Sequence, residues 1–184
     1  MNFRDVEYLK AGTDKQKLCY RILKEINVLD ILHDYNPIVV GTIPIQIDIE
    51  ESDIDIVCCA ENLCEIRDVV RLHYSTYNMF SDRIGDVYIA TFECLGLSIE
   101  IYAESIPTLE QNGYRHMVIE DRMMKLAGDG FRQKVISLKE QGYKTEPAFG
   151  ELLKLENPYL DLLEFEALTD DELKLLIKNK HIPK

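Results

Sequence analysis

Two aspartates lie two residues apart within an apolar stretch, and this spacing constrains the fold more than any other feature of the chain. Side chains alternate between the two faces of a strand, so Asp53 and Asp55 point to one face while the isoleucines that follow them point to the other. Two carboxylates side by side repel each other, and a fold retains such a pair most readily around a cation. The pattern therefore predicts a strand with one apolar face and a divalent-metal site on the other.

A short apolar stretch and a small-residue turn come before the two aspartates. Residues 38–41 are predicted as a strand that runs into Gly41 and Thr42. Glycine lets a backbone approach a ligand closely, and the Thr42 hydroxyl and N–H can donate hydrogen bonds to a phosphate oxygen. We therefore expect both residues to contact phosphate, although glycine and threonine after a strand are also common in plain turns.

A third acid lies in the middle of another apolar strand, predicted over residues 97–103. Alternation places Glu100 on one face and its apolar neighbours on the other. Acids are scarce in such positions unless they are paired or bound to metal. If this strand lies beside that of Asp53 and Asp55, three carboxylates meet around one or two Mg²⁺ or Mn²⁺ ions, which supports phosphoryl or nucleotidyl transfer. The alternatives are a solvated Asp-x-Asp pair and a Glu100 that pairs with lysine or arginine.

The pattern of apolar residues divides the chain into a mixed front half and a helical back half. The elements predicted in the front half are a helix over 14–34, strands over 38–41 and 53–60, a helix over 62–80, and strands over 87–94 and 97–103. Helix starts are predicted from capping boxes at Thr13 with Gln16, Thr108 with Gln111 and Thr169 with Glu172. We expect an α+β fold: a small mixed β-sheet with flanking helices in residues 1–104, followed by a C-terminal helical region in residues 105–184.

The net charge of −12, from 21 basic and 33 acidic residues, restricts the partners. Proteins that mainly hold nucleic acid carry a basic surface, so nucleic acid is a disfavoured partner here. An acidic site attracts Mg²⁺ and the triphosphate that the ion brings. No apolar run approaches the roughly 20 residues that span a bilayer, and the N-terminus lacks the apolar segment of a secretory signal. These features predict a cytoplasmic protein without membrane contact.

The five cysteines agree with a cytoplasmic location. Cys58 and Cys59 are adjacent and therefore point to opposite faces of a strand, and Cys64 has no partner at C-x2-C spacing. We interpret the odd number of cysteines and their apolar neighbours as reduced core residues, not as a disulfide framework or a zinc site.

These motifs together resemble those of a known superfamily. An apolar strand, Gly41-Thr42, a spacer, Ser52 followed by Asp-Ile-Asp-Ile, and a later strand with one more acid are similar to the nucleotidyltransferase superfamily with the DNA polymerase beta-like catalytic core. The resemblance covers residues 14–104. The whole chain is also similar to a bacterial branch that is catalogued as a domain of unknown function.

The resemblance implies a role for each motif. Asp53 and Asp55 would bind Mg²⁺ or Mn²⁺, and Glu100 would act as a third metal ligand or as a base. The phosphates of an NTP substrate such as ATP would be held by Gly41, Thr42 and Ser52. Three features depart from the family pattern: threonine replaces serine after Gly41, a glycine that is common near Gln46 is absent, and the third carboxylate is glutamate instead of aspartate.

Basic residues of the helical region are candidate nucleotide contacts. Three of them have the spacing to share one helix face and to neutralise a triphosphate: Arg115, Arg122 and Lys125. The alternative is a solvated basic face that pairs with the neighbouring acids Glu120 and Asp121. We interpret His116 as a packed or hydrogen-bonded histidine in preference to a proton carrier.

Functions from different classes fit these observations. The first is a metal-dependent nucleotidyltransferase that moves a nucleoside monophosphate from an NTP to a hydroxyl of a small molecule or protein. The alternative is a catalytically weak or inactive binding module with the same fold, antitoxin-like or nucleotide-sensing, whose helical region docks a helical protein partner. A plain structural domain with acids exposed by chance would show no Mg²⁺-dependent change in melting temperature.

Overall fold

The computed structural model describes residues 2–180, and the chain divides into two compact units. The first unit contains the residues up to Gln46 together with Glu51–Tyr114. The second contains Ile47–Glu50 and the residues from Arg115 onward. A four-residue segment of the front half therefore belongs to the second unit, and the chain returns to the first unit directly after it.

The first unit is built on a mixed five-stranded β-sheet. Its strands are β1 (Ile38–Val40), β2 (Ile54–Cys59), β3 (Asn78–Ile84), β4 (Tyr88–Cys94) and β5 (Leu97–Glu104), in the spatial order β1-β2-β5-β4-β3. Strands β2 and β5 are parallel, and the other neighbouring strands are antiparallel. The predicted strand with Glu100 thus lies beside the predicted strand with the Asp-x-Asp motif, and the α+β fold class is confirmed.

One face of this sheet forms the core of the first unit with residues of the helices α1 (Asp14–Glu25) and α3 (Leu63–Tyr74). Alternate residues of the two central strands belong to this core: Ile54, Ile56, Cys58, Ile99, Ile101 and Ala103. The residues between them, which include Asp55 and Glu100, point to the opposite face. Apolar burial of about 25 cal/mol per Å² favours this orientation of the strands, because a one-residue slip would bury the acids.

Two predicted helices of the front half are shorter in the structure. The predicted helix over 14–34 breaks at Asn27, whose φ of 51° is left-handed, and continues as the short α2 (Val28–Ile31) and a 3₁₀ turn. The predicted helix over 62–80 ends at Tyr74, and the following residues form the edge strand β3, which the prediction missed. Tyr77 and Phe80 have helical spacing, yet they pack against the core from outside the helix.

The second unit is helical. Its elements are the part of α4 (Asn112–Ala127) from Arg115 onward, α5 (Asp129–Glu140), α6 (Thr145–Leu153), α7 (Pro158–Glu164) and α8 (Asp170–Asn179). Helix α8 begins at the predicted capping box of Thr169 with Glu172. No helix within residues 2–180 is both long and apolar enough to cross a bilayer.

The predicted capping box at Thr108 and Gln111 is wrong, and α4 begins only at Asn112. The Nε2 of Gln111 instead donates hydrogen bonds to the carbonyl oxygens of Cys58 and Ile106, both at 2.8 Å. The Oε1 of Gln111 accepts no hydrogen bond from the described residues, whereas a capping box requires it to accept from the backbone N–H of Thr108.

The cysteines are free thiols, as predicted. Three of them are buried, whereas Cys59 is partly buried and Cys64 is exposed. Burial raises the pKa of the Cys58 thiol to about 12, which keeps it protonated and unreactive at neutral pH. The prediction of core residues therefore holds for Cys19, Cys58 and Cys94 and fails for Cys64.

Candidate functional site

Asp55 and Glu100 are direct neighbours across the two central strands. The parallel register of β2 and β5 pairs them, and on the other side Asp55 is paired with Val40 of β1. Residues in register on neighbouring strands point to the same face, and the strands lie about 4.8 Å apart. Both side chains are partly buried. Two carboxylates so placed offer the oxygen ligands that Mg²⁺ and Mn²⁺ prefer.

Gly41 lies directly against the carboxylate of Asp55. Its φ of 81° is in the left-handed region that favours glycine, and a Cβ at this position would overlap Oδ2 of Asp55. Glycine is thus required both by the backbone conformation and by the close approach. The turn after β1 is thereby brought to the acidic pair.

Thr42 and Ser52 flank the spacer, residues 43–51, and are hydrogen-bonded to each other. The Thr42 hydroxyl donates a hydrogen bond to Oγ of Ser52 at 3.1 Å, and both residues are partly buried. Ser52 directly precedes Asp53, so this bond places the Gly-Thr turn beside the start of the Asp-x-Asp motif. A hydroxyl proton that turns from its present partner at this point can donate to an oxyanion such as a phosphate.

Asp53 lies directly before β2 and is partly buried. Within residues 2–180, no group of three or more aspartate, glutamate, histidine or cysteine side chains is arranged to hold a metal ion. The structure therefore brings Asp55 and Glu100 together, and the centre of three carboxylates that includes Asp53 stays a prediction. The chemistry of the pair fits a divalent cation, because adjacent carboxylates supply oxygen ligands and gain from a shared positive charge.

The spacer between the two motifs is packed and hydrogen-bonded. Ile43, Ile45 and Ile47 are buried, and Nε2 of Gln16 donates to the carbonyl oxygens of Ile43 and Pro44 at 3.0 and 3.1 Å. Gln46 has a φ of 60°, and its Nε2 donates to Oε1 of Gln16 at 3.2 Å. A glutamine thus adopts the left-handed conformation that glycine would favour, and a side-chain hydrogen bond supports it.

The candidate basic residues of the helical region form ion pairs within the second unit. Arg115 donates from Nε and Nη2 to the carboxylate of Glu166 at 2.7–3.2 Å, and Lys125 pairs with Asp121. Similarly, Arg122 pairs with Asp170 at 2.7 Å and donates to the carbonyl oxygen of Leu168. These contacts match the alternative of an ion-paired face, and a nucleotide contact from Arg115 or Lys125 stays a prediction.

His116 is buried and hydrogen-bonded, as interpreted from the sequence. Its Nε2 lies 2.9 Å from the carbonyl oxygen of Tyr159, and its Nδ1 lies 3.4 Å from Oε1 of Glu146. Both ring nitrogens therefore have partners inside the second unit, and the ring links α4 to α6 and α7.

Glu120 is buried, which corrects its assignment to a solvated face. It is 4% exposed, and its Oε1 has no hydrogen-bond partner among the described residues. Burial and the nearby charge of Glu146 raise the pKa of Glu120 well above its usual value, against the positive charge of Lys139. Helical periodicity offered no signal for this burial, because the apolar stripe of α4 is broad and contains several polar residues.

Thr91 is a neighbour of the acidic pair that the sequence interpretation missed. The antiparallel register pairs it with Glu100, and Ser81 of β3 is paired with Thr91 in turn. Asp55, Glu100 and Thr91 thus share one row of the sheet. The polar alternation of β4 could have placed Thr91 on this face, but its register with Glu100 depends on the hairpin turn.

A cavity of about 520 Å³ lies elsewhere in the first unit. Its lining includes Arg4, Pro37, Cys59 and Glu110, and it contains none of the predicted site residues. Cys59 is the last residue of β2, whereas Asp55 is its second. The cavity is therefore separate from the candidate site.

Solved structures with a similar fold include a cytoplasmic RNA terminal U-transferase and a poly(U) polymerase. The structure of the GLD-2/RNP-8 complex has 13% identity and a TM-score of 0.53, over 89% of this chain and 66% of that chain. The Cid1 poly(U) polymerase with MgGTP bound has 11% identity and a TM-score of 0.54, over 92% and 53%. A cytoplasmic RNA terminal U-transferase has 12% identity and a TM-score of 0.51, over 92% and 50%. The chain thus spans half to two thirds of these proteins and shares their nucleotidyltransferase-like fold.

Comparison with known proteins and with protein-family models identifies the family of this sequence. No curated protein matches it. The family model described as the domain of unknown function DUF4269 matches residues 21–165, which is more than half of the chain. We conclude that this chain, with its nucleotidyltransferase-like fold, belongs to the DUF4269 family.

Proposed function

We propose that this protein is a Mg²⁺- or Mn²⁺-dependent nucleotidyltransferase that moves a nucleoside monophosphate from an NTP to a hydroxyl of a small molecule or protein and releases pyrophosphate. The observation that carries the proposal is the register that pairs Asp55 with Glu100 on one face of a nucleotidyltransferase-like sheet. The close approach of Gly41 to the same carboxylate supports it, because it brings a backbone turn and its donors to the acidic pair.

Each residue of the site has a defined task in this proposal. Asp53, Asp55 and Glu100 would hold the metal ion, which when bound supplies positive charge to the triphosphate and acidifies a nearby hydroxyl. Glu100 accepts the proton of the attacking hydroxyl where it does not serve as a metal ligand. The hydroxyls of Thr42 and Ser52, which lie 3.1 Å apart, bind and orient the phosphates.

The net charge of the chain indicates which class of acceptor the proposed reaction uses. The neighbours in fold act on RNA, as their descriptions as poly(U) polymerase and RNA terminal U-transferase state. This chain carries a net charge of −12, and a surface of that sign repels a phosphate backbone. We therefore propose a small-molecule or protein hydroxyl as the acceptor in place of a long RNA.

The test separates nucleotide binding from transfer. Purified protein is titrated with ATP, GTP, CTP and UTP, with Mg²⁺ and with EDTA, and is then incubated with α-³²P-labelled NTPs and candidate acceptors that include the protein itself. We expect Mg²⁺-dependent binding of at least one NTP and transfer of the label to an acceptor. The variant Glu100→Gln should lose transfer, whereas Glu104→Gln, an acid farther along β5, should retain it.

The absence of Mg²⁺-dependent NTP binding by the folded protein would reject the proposal. Binding without transfer to any acceptor would favour the alternative of a nucleotide-sensing or antitoxin-like module with a helical protein partner. That alternative draws on the altered spacer, in which Gln46 stands near the position where the resemblance implies a glycine.

A further inference from the structure

Lys139 is a buried lysine of the second unit with a backbone partner. It lies near the end of α5 and is 6% exposed, and its Nζ donates a hydrogen bond to the carbonyl oxygen of Ile47 at 2.7 Å. Burial of an ammonium group costs several kcal/mol unless its charge and its donors are compensated. A lysine in this position is therefore expected to have a specific task.

The charge of Lys139 acts on a buried acid of the second unit. Glu120 of α4 is buried beside it, and the positive charge of Lys139 acts on the pKa of Glu120 in the direction opposite to burial and to Glu146. Glu146 in turn contacts Nδ1 of His116 at 3.4 Å. Lys139 interacts with Glu120, Glu120 with Glu146, and Glu146 with His116, and the proposed reaction uses none of these side chains.

The partner of Lys139 belongs to the spacer that carries the candidate site. Ile47 lies between Thr42 and Asp53 in the sequence, and its side chain is fully buried. The first part of the spacer is held separately, because Gln16 donates to the carbonyl oxygens of Ile43 and Pro44. Backbone carbonyls in both parts of the spacer therefore accept hydrogen bonds from buried side chains.

We propose that Lys139 is a positioning residue of the nucleotide site, although it lies 39 positions beyond Glu100 and in the helical unit. Its hydrogen bond fixes the backbone of Ile47–Glu50, and this segment leads directly to Ser52 and Asp53. The backbone path from the phosphate-binding turn to the Asp-x-Asp motif is then held at Ile47 by this bond. This role rests on the proposed function, because it concerns the affinity of the same site for nucleotide.

The experiment removes the donor together with the buried acid on which its charge acts. The double variant Lys139→Met with Glu120→Gln is compared with Glu120→Gln alone, with Lys139→Arg, and with Lys174→Met, an exposed lysine of α8. Amide hydrogen exchange of residues 43–52 reports the spacer, and calorimetry reports the Kd for the NTP that the wild-type protein binds most tightly with Mg²⁺. Melting temperatures establish that each variant is folded.

We expect the double variant to exchange the spacer amides at least about tenfold faster and to bind the nucleotide about tenfold more weakly, since one charged hydrogen bond is lost. In the exchange of the spacer amides and in Kd, Glu120→Gln alone and Lys174→Met should resemble the wild type, and Lys139→Arg, which retains a charged donor, should lie between. An unchanged Kd in the folded double variant would refute the positioning role and leave the proposed function standing. A wild-type protein that binds no NTP would refute both.

Discussion

At the scale of single residues, Gly41 and Asp55 constrain each other. The left-handed backbone of Gly41 and the absence of a Cβ create the space that the carboxylate of Asp55 occupies. We predict that Gly41→Ala lowers the free energy of unfolding by about 1–3 kcal/mol, because the variant combines backbone strain with a steric overlap. Denaturant unfolding measures the change.

Gly85→Ala is the matched control for this prediction. No atom lies within 4 Å of a Cβ built at Gly85, and its φ is not in the left-handed region. The control should change stability by less than about 0.5 kcal/mol. Equal effects of the two substitutions would show that the close approach at Gly41 has no energetic importance.

A substitution of Asp55 tests the electrostatic repulsion between Asp55 and Glu100. Two carboxylates in register repel each other in the absence of a cation, so Asp55→Asn should leave the metal-free protein as stable as the wild type or more stable. The same change should abolish the rise in melting temperature that Mg²⁺ with NTP produces. Thermal unfolding with and without Mg²⁺ measures both effects, and Glu104→Gln is the control. If Asp55→Asn unfolds the metal-free protein, Asp55 is a structural partner instead of a ligand.

At the scale of elements, the packing of α4, α5 and α6 depends on the protonation of Glu120. Burial and the charge of Glu146 raise the pKa of Glu120, and Lys139 lowers it less than they raise it. The folded protein therefore retains a proton that the unfolded chain loses above its pKa of about 4.5. Because the folded state binds more protons, this residue lowers stability as the pH rises from that value to the folded pKa.

We predict that Glu120→Gln removes this pH-dependent loss of stability. The gain of the variant over the wild type should be small near pH 4.5 and should grow by up to about 1.4 kcal/mol per pH unit above it. Denaturant unfolding between pH 4.5 and 8 measures the gain. The control Glu140→Gln, on the exposed side of α5, should show no such trend. A gain that does not change with pH would show that Glu120 titrates normally.

Sequence patterns within a few residues predicted most helices and strands. The element that was missed depends on pairing between residues that are distant in the sequence. The capping boxes at Thr13 and Thr169 mark the starts of α1 and α8 as predicted, because their hydrogen bonds lie within four residues. Strand β3 was missed because Tyr77 and Phe80 fit a helical period. The hydrogen bonds of an edge strand to β4 leave no trace in periodicity.

The candidate site could also be predicted only in part, because alternation along a strand is a local signal and the order of the strands is not. Alternation along one strand placed Asp55 on the polar face, and the sheet order then brought Glu100 beside it. The burial of Glu120 and Lys139 could not be predicted, because both residue types are ordinarily exposed and their burial depends on the packing of three helices.

At the scale of the whole molecule, the chain passes more than once from one unit to the other. The spacer leaves the first unit for Ile47–Glu50 and returns before the Asp-x-Asp motif. The two motifs of the proposed site are thus connected through residues that belong to the helical unit. In the proposed function, the net charge of −12 is the reason for preferring a metal-bound nucleotide to a polyanion as the ligand.

The most direct test is a crystal structure of the protein with Mn²⁺ and a non-hydrolysable NTP analogue. We predict an anomalous Mn²⁺ peak within about 2.5 Å of carboxylate oxygens of Asp55 and Glu100, with a triphosphate oxygen within hydrogen-bond distance of Thr42 or Ser52. Diffraction data collected at the manganese absorption edge identify the ion. A structure in which the nucleotide is bound elsewhere, or in which Asp55 and Glu100 bind no Mn²⁺, would contradict the proposed site.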